Sequence, residues 1–283
     1  MSWNLHQLLE TTKKEKKKRK SLLVVLLLWI AVIVVIASCM KSTNVEQTSL
    51  HTSNINVGKV HNKVLESLEK KKNPLFNEKG LVSYADLVSM MNDIKFSMTE
   101  QGFDPVYCDA IIPQSIDEFT KMGLIKDIDG QLFLDLREVD FPLVMWDYLV
   151  INGMLDQGVQ DKLSPIMDIY LQNGDPSELS AAVAELNTNL NLYDPDQIAK
   201  ILTFKDIFKH SHDYWELYGI TGSGSTIIAD ALGGIFGGIM GGLAGNLIVP
   251  GAGGIIGGAI GSGAFGGGCS YLQHRFLLWY NAQ

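Results

Sequence analysis

The segment ALGGIFGGIMGGLAG, Ala231–Gly245, repeats glycine at the spacing of one face of an α-helix. In water, each interior glycine disfavours a helix by about 1 kcal/mol relative to alanine, so a lone helix carrying this many glycines would not form. Inside a bilayer the balance changes, because unpaired backbone amides are so costly there that the chain is driven into helices. The segment therefore predicts a helix that is shielded from water.

The same spacing resumes after a short break at Pro250-Gly251, which predicts a turn between two helical arms. Residues 227–249 and 252–272 are each long enough to cross a bilayer. Glycine at every fourth position lets two such helices approach closely. The predicted contact ridge consists of Gly233, Gly237, Gly241, Gly245, Gly253, Gly257 and Gly261.

Charge and aromatic residues mark the limits of this region. Between Ala231 and Gln273 only Cys269 and Tyr271 have ionisable side chains, and Asp230 immediately precedes the run. Aromatic residues on both sides are typical of a membrane interface: Tyr214, Trp215, Tyr218, Trp279 and Tyr280. We interpret residues 227–272 as a membrane hairpin. Two alternatives are a glycine-rich hairpin packed against soluble protein and a disordered low-complexity segment.

The N-terminus carries a second membrane signal. Residues 1–20 hold seven basic and two acidic side chains, although the whole chain has a formal charge of -8. Residues 21–40 follow without a charge and are long enough to span a bilayer. The basic cluster should hold its end in the cytoplasm, which predicts an extracytoplasmic location for residues 41–283. A permanent anchor and a signal sequence both fit; a buried core helix fits far less well.

The residues Ile36-Ala37-Ser38-Cys39 resemble the bacterial lipobox, in which small residues precede a cysteine. The resemblance implies lipid attachment to Cys39 and cleavage before it. The two other cysteines, Cys108 and Cys269, lie far apart in the sequence. A bridge between them is permitted in an oxidising compartment, but we expect two separate thiols.

The rest of the chain predicts a mainly α fold. Residues 41–58 form a polar tether, residues 59–218 a helical globular domain, residues 219–226 a linker and residues 273–283 an aromatic tail. Leu87, Met91, Ile94 and Met98 fall on one helical stripe.

Local signals place individual elements within the helical domain. Asp175-Pro176 and Asp194-Pro195 are each followed by Glu or Gln three residues after the aspartate, which is typical of a helix start. The favoured turn dipeptide Asp129-Gly130 predicts at most a short β-hairpin between Ile125 and Leu136.

Sequence motifs for catalysis, phosphate binding or metal binding are weak. The loop 219–226 has the glycine spacing of a phosphate-binding loop but lacks its lysine. His210-Ser211-His212-Asp213 could contribute to a metal site, yet no further ligand is identifiable. The acidic residues around Asp127 do not match a calcium loop, because glycine follows Asp129 at once. The sequence therefore predicts a protein that is not an enzyme, with no cofactor, metal or nucleic acid.

The two glycine-spaced runs and their short loop resemble the glycine-zipper segments of small bacterial envelope lipoproteins of the 17 kDa surface antigen type. The resemblance implies a structural role at the cell envelope, with membrane lipid as a partner and self-association through the glycine ridges. A charge-free hairpin after a helical domain is also the layout of pore-forming colicins, so a tethered antibacterial pore-forming toxin is an alternative. A third possibility is a tethered binding module that presents residues 59–218 to an unknown protein.

Overall fold

The structure is a computed structural model, and it describes residues 55–71, 75–172, 175–217, 224–249 and 252–283. Residues 54–283 form one compact unit. The basic leader, the apolar segment 21–40, Cys39 and residues 41–54 of the tether lie outside the described residues, as does Tyr218.

The described part of the chain is mainly helical, with a small sheet. The helices are α1 (Val57–Glu69), α2 (Tyr84–Glu100), α3 (Pro105–Ile111), α4 (Gln114–Lys121), α5 (Phe141–Ile151), α6 (Gln157–Leu171), α7 (Pro176–Ala184), α8 (Pro195–Leu217), α9 (Gly224–Ile248) and α10 (Ala252–Asn281). The strands are β1 (Leu81–Ser83), β2 (Ile125–Ile128) and β3 (Gln131–Asp135). Two short 3-10 helices, Glu185–Asn187 and Leu190–Leu192, lie between α7 and α8. The predicted mainly α class is confirmed.

Aspartate caps begin the two helices predicted from Asp-Pro pairs. The Asp175 carboxylate accepts a hydrogen bond of 2.8 Å from the backbone amide of Glu178. Asp194 accepts from the amide of Gln197 at 2.9 Å, and the Gln197 side chain accepts from the Asp194 amide at 3.0 Å. This reciprocal pair satisfies two backbone donors that the helix itself leaves unpaired. Both predicted helix starts are confirmed.

The predicted β-hairpin is present, and a third strand extends it. Strands β2 and β3 pair antiparallel, with Ile128 opposite Gln131 across the turn. Asp129 and Gly130 have φ of 55° and 80°. These positive values are what a two-residue hairpin turn with the right twist requires. Strand β1 pairs antiparallel with the other edge of β3, so the sheet is larger than the hairpin that the sequence indicates.

The core is built around the two glycine-rich helices. Helix α10 packs against α1, α2, α3 and α9, whereas α9 packs against α3, α5, α6 and α8. Helices α1 and α8 also pack against each other. The predicted stripe on α2 (Leu87, Met91, Ile94 and Met98) is buried in the same continuous core. Residues from the predicted helical domain and from the predicted hairpin thus share one hydrophobic interior.

An ionic contact to a buried carboxylate lies at the end of the sheet. The Arg137 guanidinium donates two hydrogen bonds of 2.9 Å to the carboxylate of Asp135, which is almost completely buried. These bonds lower the pKa of Asp135 to about 2, although burial alone would raise it. Because the folded pKa lies below the usual value, the contact contributes stability above about pH 4, and this contribution is lost as the pH falls toward 2.

We predict that Arg137→Met lowers the free energy of unfolding by about 1–2 kcal/mol at neutral pH, since the arginine side chain stays partly exposed. The loss should shrink as the pH falls below about 4 and become small near pH 2, where Asp135 of the unsubstituted protein is already about half protonated. Denaturant titrations at neutral and acidic pH measure it. Lys126→Met is the control, because its amine lies 3.4 Å from the same carboxylate and contributes less. A loss of equal size at both pH values would contradict the prediction.

Candidate functional site

The predicted contact ridge forms the interface between α9 and α10, where glycines of the two helices face each other in antiparallel order. A Cβ atom added to Gly237, Gly241 or Gly245 would lie 2.0 Å from the carbonyl oxygen of a glycine on α10. The opposite substitutions, at Gly253, Gly257 and Gly261, would place a Cβ atom 1.9–2.1 Å from carbonyl oxygens on α9. Real Cβ atoms do not approach this closely. The two backbones therefore touch, and only glycine fits at these six positions.

Other glycines of α9 and α10 lie against helices outside the hairpin. A Cβ atom on Gly234 would lie 2.0 Å from Cδ1 of Ile207, which belongs to α8. On α10, Cβ atoms on Gly263 and Gly267 would lie 2.5 and 2.8 Å from Cγ1 atoms of Val60 and Val64 on α1. The glycines thus also let α1 and α8, which we call the cover helices, approach the hairpin closely.

Burial changes along the hairpin. Among the described residues, one helix, Gly224–Ile248, is long and apolar enough to cross a membrane by length and composition. In this structure 72% of its apolar window is buried inside the protein. The last two turns differ, because Leu243, Leu247 and Val249 are exposed. The hairpin is enclosed near its base, and its large apolar side chains become exposed toward its tip.

A fully buried carboxylate lies at the base of the hairpin. Asp230 on α9 accepts a hydrogen bond from the Ser211 hydroxyl on α8, and its second oxygen, Oδ1, has no hydrogen-bond partner among the described residues. Nε2 of His61 on α1 lies 3.4 Å from Asp230 Oδ2. We call these three residues the buried polar cluster. It connects both cover helices to the hairpin at a single point.

The buried polar cluster contains serine, histidine and aspartate, but its geometry differs from that of a nucleophilic triad. In such a triad the serine hydroxyl is bonded to the imidazole, which takes its proton. Here the Ser211 hydroxyl is bonded to the carboxylate, while Nδ1 of His61 lies 2.8 Å from the side-chain oxygen of Asn62. All three members of the cluster are inaccessible to solvent. The arrangement positions helices and offers no access to a substrate.

The predicted interfacial aromatic residues occupy different environments. Tyr214 and Trp215 are buried, and the Trp215 indole donates a hydrogen bond of 3.2 Å to Ser270 on α10. The same indole packs on the His274 ring, with 4.4 Å between the ring centres. Trp279 is partly buried and Tyr280 is exposed. In this structure the aromatic residues nearest the base of the hairpin belong to the core.

The other predicted candidates are dispersed. Side-chain ligand atoms of His212, Asp213 and Glu216 lie within 4.8 Å of one another on the surface of α8, whereas His210 packs over Gly58. Asp127 caps its own turn by accepting from the Gly130 amide at 2.8 Å. Cys108 and Cys269 are free and buried, so the expectation of two separate thiols is confirmed. Burial raises the pKa of Cys108 to about 11, which makes it a poor nucleophile at neutral pH.

Comparisons of the chain with protein-family models, curated proteins and solved structures gave no match. The site therefore has to be interpreted from its own geometry. Sequence reasoning identified the ridge and placed Asp230 at its edge, but it missed His61 as the neighbour of that carboxylate. A single histidine in an amphipathic helix, 169 positions from its partner, has no local signal that could have revealed it.

We predict that Gly241→Ala lowers the free energy of unfolding by about 3 kcal/mol or more, because the new methyl group would meet the Gly257 carbonyl. Gly242→Ala is a matched control one residue away. Its Cβ atom would lie 3.6 Å from the nearest oxygen, an ordinary contact, and alanine favours the helix. Denaturant titration should therefore give a large loss for the first variant and no loss for the second. Equal effects of the two substitutions would show that the helices are not in backbone contact.

We predict that Asp230→Ala destabilises the fold by about 3–5 kcal/mol, because the Ser211 hydroxyl and the His61 imidazole would remain buried beside an apolar side chain. Asp230→Asn retains an acceptor for Ser211 and should cost clearly less. Thermal unfolding of the three proteins at neutral pH compares them. An alanine variant as stable as the asparagine variant would mean that the hydrogen bond to Ser211 contributes nothing.

Proposed function

We propose that this chain is a non-enzymatic protein of the bacterial cell envelope, anchored at its N-terminus, whose glycine hairpin enters a membrane. In the folded protein the hairpin is stored under the cover helices, and it is released to insert as a preformed unit. The single observation that carries the proposal is the backbone contact between the ridges of α9 and α10. This contact is internal to the hairpin, so it uses no atom from the rest of the domain.

The dimensions and chemistry of the hairpin suit a bilayer. At 1.5 Å per residue, the stretch from 231 to 249 is about 28 Å long and that from 253 to 272 about 30 Å, close to the thickness of the hydrocarbon core. Backbone donors and acceptors within the arms are paired inside helices, as lipid requires. The membrane can replace the apolar contacts that the cover helices provide in water.

The charges lie where an inserted hairpin would need them. Asp230 precedes the uncharged run, and His274 and Arg275 follow it, so both ends would reach the same face of the membrane. A carboxylate near an interface is much less costly than one at the bilayer centre. Release separates Asp230 from Ser211 and His61, and water at the interface would replace them.

Self-association would use surfaces that remain open after the ridges have paired within one chain. A Cβ atom on Gly242 or Gly258 would meet nothing closer than 3.4 Å, and both residues are partly exposed. They form a small-residue surface on the outside of the hairpin, where a second hairpin could approach. In this proposal lipid and a second copy of the chain are the partners of the hairpin.

The runner-up is a tethered antibacterial pore-forming toxin. Its supporting observation is the storage of a charge-free hairpin inside a helical domain, because such a toxin must fold in water before it enters a target membrane. Both functions share the insertion step. Release of dye from vesicles at low protein concentration separates them, since a structural zipper should leave the vesicles intact.

A disulfide between α1 and α10 tests storage and release. The Cβ atom of Val60 lies 3.1 Å from the Cβ position of Gly263, so Val60→Cys with Gly263→Cys can be bridged after a small shift. For this test a protease site is introduced into the tether of the full chain. The protein is then reconstituted in vesicles of phosphatidylethanolamine and phosphatidylglycerol. Cleavage then separates the anchor from residues 55–283, and an alkaline carbonate wash removes protein that is not inserted.

We expect the oxidised double variant to be washed off and the reduced one to stay in the membrane pellet. Val60→Cys alone is the control and should be retained under both conditions. Release of the protein in both redox states would overturn insertion. Retention in both states would overturn storage under α1.

A further inference from the structure

The tip of the hairpin is an exposed apolar surface that the proposed storage of the hairpin leaves unexplained. Leu243 and Leu247 are 62% and 87% exposed, Val249 and Ile255 are each 45% exposed, and the four lie at the ends of the two arms. We call these four residues the tip patch. Most of the hairpin nearer its base is buried, so the tip patch is where its large aliphatic side chains reach solvent while the domain is folded.

The tip patch has a composition that suits lipid better than protein. Its residues are aliphatic, and no ionisable side chain occurs in either arm between Ala231 and Leu272 other than Cys269 and Tyr271. Asn246, the polar residue between the two leucines, is also exposed, and its side-chain amide lies 2.6 Å from the Cβ position of Gly254 on α10. Protein interfaces usually have a polar rim and aromatic or arginine anchors. The tip patch lacks aromatic and arginine residues.

Two backbone amides at the tip of the hairpin are paired within the hairpin. Helix α9 continues to Ile248, and the amide of Val249 donates to the Gly245 carbonyl at 3.0 Å. The amide of Gly253 donates to the Val249 carbonyl at 2.8 Å. The amides of Val249 and Gly253, one on each arm, are therefore paired and would have no unmet hydrogen bond in a shallow apolar layer.

The segment between the predicted membrane anchor and the described domain limits how far the domain can lie from a bilayer. The predicted membrane segment ends at Met40, and the first described residue is Ile55. The intervening residues 41–54 span at most about 50 Å when fully extended. A folded unit held within that distance of a bilayer meets lipid far more often than any diffusing protein, because the tether supplies a high effective concentration.

We propose that the tip patch docks the folded domain on the membrane to which the chain is tethered, before the hairpin is released. The occupant is the apolar layer of a lipid bilayer, entered by Leu243, Leu247, Val249 and Ile255. This inference rests on the proposed anchoring through residues 21–40, and it deepens the proposed function by naming the part of the hairpin that contacts lipid first. The body of the hairpin stays under the cover helices in the docked state.

A fluorescent residue at the tip tests docking separately from insertion. An environment-sensitive fluorescent amino acid replaces Leu247 in the full chain that carries the Val60→Cys and Gly263→Cys pair, and acyl-chain-brominated lipids serve as the quencher. The matched control carries the same probe at Leu192, which is 76% exposed on a 3-10 helix outside the hairpin. Both proteins are measured oxidised, so that the hairpin cannot leave the domain, and then reduced.

In the oxidised protein we expect a blue shift and strong quenching at position 247, and neither at position 192. Leu243→Ser with Val249→Ser should reduce the quenching several-fold without unfolding the domain, since both side chains are exposed. If position 247 were quenched after reduction but not before it, docking would be overturned while insertion stood. Absence of quenching in both states would overturn docking and insertion together.

A further control replaces the vesicles with a soluble protein. If position 247 shifts equally with an unrelated globular protein such as serum albumin, the tip patch is a general hydrophobic surface, and the assignment to a bilayer is wrong. A response confined to vesicles supports it.

Discussion

Backbone contact between the glycines of α9 and α10 is the constraint on which the rest of the structure depends. Three pairs (Gly237 with Gly261, Gly241 with Gly257 and Gly245 with Gly253) bring the helix axes closer than any side chain would allow. The resulting hairpin exposes much apolar surface and gains little from helix propensity, so in water it must be covered. Helices α1, α2, α3, α5, α6 and α8 pack around it. The domain is therefore arranged around the two glycine-rich helices, whose sequences have low helix propensity.

The backbone contact between α9 and α10 is compatible with water and with lipid as the surrounding medium. An interface made of backbone atoms depends on shape and dispersion, which operate in water and in lipid alike. The contacts outside the hairpin differ, because the burial of Val60, Val64 and Ile207 against it is favourable only while water is the alternative. Asp230 adds directional specificity at the base, since a buried carboxylate must align with Ser211 and cannot slide along the helix. The contact between α9 and α10 is thus suited to both solvents, whereas the contacts of this helix pair with α1 and α8 are favourable only in water.

Much of the fold could be predicted from the sequence, because its strongest signals are local. Glycine spacing gave the two arms and the paired ridges, Asp175 and Asp194 gave helix starts, and Asp129-Gly130 gave the hairpin turn. Strand β1 was missed because three residues carry no period. The surroundings of Trp215 and Asp230 could not be predicted, because their partners lie on other helices. An uncharged glycine-rich helix also has the same composition in a bilayer and in a protein core, so composition alone does not distinguish the two.

The position of α1 has a consequence for biogenesis. It is the first described helix, yet Glu69 near its end pairs with His274, 205 residues further along the chain. Helix α1 is the earliest described helix to be synthesised, and it therefore completes its contacts only when the last helix, α10, is present. If the chain is exported, as proposed above, α1 and α10 can pack together only after the C-terminal helix has also crossed the membrane. Late closure of this kind would leave the two glycine-rich helices without the cover of α1 until synthesis of the chain is complete.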